Sequence, residues 1–86
     1  MKLSEIFGKS LSSYDSWNGD HKVIKVENIT ITDDSKEIIF SGRGYWGNEQ
    51  KIYVDIDRVD QLLEIGFITK SSTIDHCSVA KEIKFI

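Results

Sequence analysis

The 86 residues, 40% hydrophobic and 29% charged, are expected to form one small domain, too apolar for a disordered chain and too short for a core plus a roomy enzyme cleft. The net charge of −3 is evenly spread, with 6 basic and 8 acidic residues in positions 1–50 and 5 and 6 in positions 51–86, which argues against a phosphate-binding basic tail and against a heavily acidic nucleic-acid mimic. The single cysteine, Cys77, excludes an intramolecular disulfide, and the lack of a secretory signal or a run of membrane-spanning length points to a reducing cytoplasm with no membrane partner.

Leu3, Ile6, Phe7 and Leu11 fall at helical spacing and predict a short amphipathic helix over residues 3–12. Gly8 weakens that helix by about 1 kcal/mol against alanine, so docking on a sheet has to hold it. Residues 13–21 are turn-rich, with Asn18-Gly19 a good turn dipeptide.

The next stretch, "HKVIKVENITIT", alternates in two phases: Ile24 and Val26 are even, Ile29 and Ile31 odd. A period-two element brings both pairs to one face only with an extra residue, so the pattern predicts a β-bulge near Glu27-Asn28 or a break into two strands. Residues 32–36 read as a turn and 37–42 as a central strand. "KIYVDI", residues 51–56, is the clearest strand: Ile52, Val54 and Ile56 share one face, and Lys51, Tyr53 and Asp55 share the other. With the Gly-rich loop 43–50 it predicts an antiparallel hairpin.

Asp57 is the expected N-cap of a helix running to Ile65, which buries Val59, Leu62 and Leu63 and ends at a C′ glycine, Gly66. Residues 69–78 read as a loop, and 79–86 as a last strand whose "EIKFI" is an uncovered edge. The order α-β-β-β-α-β predicts a small single-domain α+β fold: an antiparallel sheet of three to four strands with helices packed on one face.

Chemistry-bearing clusters are sparse. Asp75, His76 and Cys77 are consecutive, and neighbours in an extended segment face opposite ways, which suits neither a nucleophile–base pair nor a metal site. Asp57, Asp60 and Glu64, with Asp55, form an acidic stripe along the second helix. Its plain role is to face water near the positive end of the helix dipole. A secondary contact surface for a basic partner, or a small metal-dependent enzyme, is the sharper alternative. None of the serines sits in a strained strand–helix elbow.

The stretch "SGRGYWGNEQKIYVDI", residues 41–56, remains. Arg43, Gly44 and Tyr45 match the first three positions of the aromatic motif of RNA-recognition domains, but Trp46 stands where glycine or alanine belongs, and the motif's ending is absent. No family is assigned. Trp, Tyr and Arg are the residues that anchor protein interfaces, and they also stack on unpaired bases. The competing arrangement folds a ring back onto the sheet, among Tyr14, Trp17 and Tyr53.

The expected function is therefore a non-enzymatic binding module without a cofactor. Its anchors are Arg43, Tyr45 and Trp46, and Lys51 and Tyr53 extend the patch along the next strand. Its partner is a larger bacterial protein or ribonucleoprotein. In style it resembles the small counter-defence inhibitors that bacteriophages and mobile elements encode, for example against a nuclease or toxin. Single-stranded RNA is the second partner class, and a homodimer is also expected.

Overall fold

The computed structural model describes the backbone of residues 1–16, 19–74 and 77–86, and their side chains outside 71–80. Six strands dominate it: β1 (Ser10–Asp15), β2 (Asp20–Ile31), β3 (Glu37–Arg43), β4 (Glu49–Asp55), β5 (Phe67–Ile74) and β6 (Cys77–Phe85). They form one antiparallel sheet in the order β4-β3-β2-β1-β6-β5. A short helix, α1 (Val59–Ile65), joins β4 to β5.

This corrects the expected three-to-four-stranded sheet with helices packed on one face: the fold is mostly sheet. The difference begins at residues 3–12. Only Leu3–Glu5 turns helically, as a single 3₁₀ turn. Gly8 then takes φ +83°, and its N–H bonds the Val26 carbonyl at 2.8 Å, which turns the chain onto the sheet. Residues 10–15 become β1, paired on both sides by β2 and β6. Ladder bonds on both flanks outweigh the helical spacing of four apolar side chains. Ile6 and Leu11 still reach the core, by a different route.

The second correction is at residues 69–78. Most of that stretch lies in β5 and β6, which pair from Phe67↔Lys84 to Ile74↔Cys77. As a result β6 is an interior strand, and "EIKFI" is no free edge; the edges are β4 and β5. Third, Asp57 is not an N-cap. It lies inside a 3₁₀ turn, Ile56–Arg58, and Arg58 precedes α1 without a side-chain cap bond. Strand β4 stops at Asp55, so Ile56 leaves the buried face and is exposed.

Other expectations hold. The register of β2 on β3 shifts between Val26 and Asn28, and this bulge puts Ile24, Val26 and Ile29 on one face. Strands β3 and β4 form the hairpin, in register from Glu37↔Asp55 to Arg43↔Glu49. Gly66 caps α1 at φ +83°, its N–H bonding the Leu62 carbonyl at 2.7 Å.

The core lies on one face of the sheet. Leu11, Ile24, Val26, Phe40, Ile52, Val54, Ile68 and Ile83 meet there, and Val59 and Leu62 of α1 close over them. The sheet curls enough for its two edges to approach: Lys70 of β5 forms an ion pair with Asp55 of β4 at 3.0 Å. Arg58 Nη2 donates to the Thr69 carbonyl at 2.7 Å. No helix among the described residues is long and apolar enough to cross a membrane.

Candidate functional site

The tip of the β3–β4 hairpin carries the most exposed aromatic pair among the described residues. Gly44 N–H bonds the Asn48 carbonyl at 2.8 Å, and Gly47 N–H bonds the Gly44 carbonyl at 3.0 Å. Tyr45, Trp46 and Gly47 thus form a three-residue loop whose last member takes φ +81°. A β-turn followed by a left-handed residue matches the twist of the flanking strands, and glycine adopts that conformation without strain. The sequence Gly-Tyr-Trp-Gly-Asn therefore builds a short loop with two large rings at its apex.

Both rings face solvent: Tyr45 is 87% exposed and Trp46 86%. They pack on one another edge-to-face, with centroids 5.0 Å apart and planes at 87°. That arrangement suits the ring quadrupoles. Extended neighbours point to opposite sides, but these two occupy the turn, which brings them together. Neither folds back on the sheet. Tyr14 packs its ring against His21 instead, at 6.1 Å, while Trp17 lies outside the described residues.

Arg43 is exposed and pairs across the hairpin with Glu49. Lys51 and Tyr53 follow on the same outward face, opposite Ser41 and Ile39, and both are exposed. Arg43, Lys51 and Tyr53 thus occupy one outward face, with Tyr45 and Trp46 at its end.

The acidic stripe does not converge. Asp55 is held by Lys70, whereas Asp57, Asp60 and Glu64 are exposed. No group of three His, Cys, Asp or Glu suited to a metal ion occurs among the described residues. Asp75, His76 and the side chain of Cys77 lie outside the described residues.

One contact was missed by sequence reasoning. Ser12 Oγ lies 3.0 Å from His21 Nε2, on the outer face of β1 and β2. The strands set this diagonal pair, because Ser12 faces Val23 and Tyr14 faces His21. Nine residues separate the two in sequence, so only the β1–β2 register reveals it. The serine is buried, and the bond satisfies its hydroxyl.

Between the sheet edges lies a cleft lined by the apolar Val54, Ile68 and Ile83 and by charges of both signs, Glu37 and Asp55 with Arg58, Lys70 and Lys81. Its open volume is about 100 Å³. Small-molecule sites run to roughly 300–1,000 Å³, so this cleft is sized for a side chain. No protein-family model, no curated protein and no solved structure matches this chain.

Proposed function

We propose that this chain is a non-enzymatic binding module that engages one larger macromolecule through the tip of its β3–β4 hairpin. Tyr45 and Trp46 are the anchors, and Arg43, Lys51 and Tyr53 are the flanking contacts. The observation that carries this reading is the near-complete exposure of both rings on a loop closed by two backbone hydrogen bonds. Leaving two large aromatics in water forgoes the stabilisation that burial gives them, and such rings are enriched where partners dock. A short, hydrogen-bonded loop also limits the ordering entropy lost on binding.

A protein partner is favoured over single-stranded RNA. Rings at 87° to one another do not offer parallel platforms to successive bases. The biological role we favour is inhibition of a bacterial protein such as a nuclease or toxin, in the manner of small phage-encoded counter-defence proteins. Size, evenly mixed charge and the scattered carboxylates support that role over metal-dependent catalysis.

The test is a pull-down from bacterial lysate, with and without nuclease, followed by titration of the captured partner. Trp46→Ala should weaken binding by at least roughly 30-fold, the equivalent of a ~2 kcal/mol hot spot. Its stability should stay within about 0.5 kcal/mol of the parent, as for a surface site. Unchanged affinity for the Trp46→Ala protein would remove the reading. Capture that disappears with nuclease treatment, and that weakens steeply with salt, would move it to RNA.

A further inference from the structure

The Ser12–His21 pair lies on the outer face of the sheet, and its surroundings form a groove. Ser12, Tyr14, His21, Glu82 and Lys84 line it, and its open volume is about 190 Å³. Ser12 is 3% exposed and makes the floor, whereas His21, Glu82 and Lys84 are exposed and make the walls. The register explains the grouping. On β1, Ser12 lies between Val23 of β2 and Lys84 of β6, and Tyr14 lies between His21 and Glu82. Alternation puts all six on one face. The Tyr14 ring meets the imidazole edge-to-face, with centroids 6.1 Å apart and planes at 76°, and steadies it beside Ser12. With its proton on Nδ1, His21 accepts the Ser12 hydroxyl at Nε2 over 3.0 Å. A hydroxyl, a base within hydrogen-bond reach and a group that orients the base are the parts of an activated nucleophile.

We infer that Ser12 is an acylation site, which takes one short acyl group from an activated ester or thioester with His21 as the base. Ser12 Oγ bonds the acyl carbon and passes its proton to His21 Nε2. The bond from that carbon to the leaving oxygen or sulfur then breaks, and the leaving group carries the proton away from His21. Lys84 faces Ser12 directly across the β1–β6 ladder, and its ammonium has no ion-pair partner among the described residues. It meets the negative charge that develops on the carbonyl oxygen. Glu82 stands one same-face pair further along, beside Tyr14. Strand β1 is laddered on both flanks, so its amides are committed and offer that oxygen no backbone donor. One cation without an amide pair suits a single transfer from an activated donor rather than turnover. The groove falls below the roughly 300–1,000 Å³ of drug-sized sites, which limits the acyl group to a short one. No residue of the groove belongs to the hairpin-tip surface, and the inference does not rest on that surface.

The probe is p-nitrophenyl acetate, and peptide mass mapping reads the site. One acetyl group per chain should appear at Ser12 and none at Ser10, which shares the outer face but lies opposite Lys25 instead of beside a histidine. Alkaline hydroxylamine should remove the label, as it removes an oxygen ester and not a lysine amide. Ser12→Ala should abolish it. His21→Gln should slow labelling at least roughly 100-fold, the lower end of general-base assistance, and Lys84→Met should slow it by less. Thermal melts that match the parent's separate lost chemistry from lost fold. Should His21→Gln fail to fold, the comparison of Ser10 with Ser12 in the parent protein decides. Acetyl groups confined to lysines, equal labelling of Ser10 and Ser12, or an unchanged rate in folded His21→Gln would overturn the inference. So would release of p-nitrophenolate that continues past one equivalent in the parent and is lost in Ser12→Ala, since the single transfer would then be turnover.

Discussion

Gly42 of β3 lies so close to the Lys25 carbonyl of β2 that a β-carbon on Gly42 would overlap it. The bulge between Val26 and Asn28 causes this approach, since the extra residue bends β2 toward its partner. The atoms that would have to yield are backbone, so no side-chain rotation relieves the overlap.

Gly42→Ala should therefore cost about 3 kcal/mol or more, at the upper end of overpacking effects. Urea denaturation would report it, and a cost below about 1 kcal/mol would show that β2 shifts freely at the bulge. Gly44 beside it is a useful control: the nearest atoms to an added β-carbon there belong to the flexible Gln50 side chain.

Gly47 tests the loop that carries the aromatic pair. At φ +81°, alanine should cost about 1–2 kcal/mol, and asparagine, which tolerates left-handed geometry, less. Thermal melts of Gly47→Ala and Gly47→Asn give the order. Equal stabilities would mean that the loop has other conformations at no cost.

Val54 is buried in the core, on the inner face of β4. An unpaired charge at such a site costs several kcal/mol, so Val54→Asp should abolish the cooperative melt at neutral pH. A native-like transition would contradict the assignment of β4's inner face.

The β2–β3 turn supplies a pH test. Asp34 Oδ1 accepts from the Thr32 hydroxyl at 2.7 Å and from the Lys36 N–H at 3.0 Å. These bonds, the Thr32 one foremost, hold the Asp34 carboxyl below its ordinary value of 3.8. A depressed folded value makes the contribution full above 3.8 and drains it as pH falls through the folded value. The difference in melting temperature between the parent and Asp34→Ala should be largest at neutral pH and shrink below pH 3.8. A difference that is constant down to pH 2 would assign it to loss of shape rather than charge.

The hairpin, the bulge and the Gly66 cap were legible because each depends on local patterning. Ile24, Val26, Ile29 and Ile31 announce the phase change within one strand, and "KIYVD" alternates cleanly, with Ile52 and Val54 on the buried face. Strand β1 was hidden for the opposite reason. Serines at 12 and 13 are buried on opposite faces, and serine carries no apolar signal. Leu11 then reads as the end of a helical stripe that Gly8 has already broken. Strand β5 was hidden by its Lys, Ser and Thr content, which resembles a loop when its β6 partner is out of view. For the candidate site, residue types alone marked Tyr45 and Trp46. Their edge-to-face contact required the turn, and the Ser12–His21 bond required a register.

Strand β6 lies between β1 and β5, so an interior seam of the sheet joins residues 11–15 to residues 81–85. During synthesis the meander of β1 to β4 emerges first, with one flank of β1 bare and the hydrophobic face uncovered. The ladder along β1 is completed only when Phe85 has left the ribosome. Nascent chains therefore carry an open sheet until β6 emerges, and a chaperone or early pairing with another nascent chain has that interval in which to act.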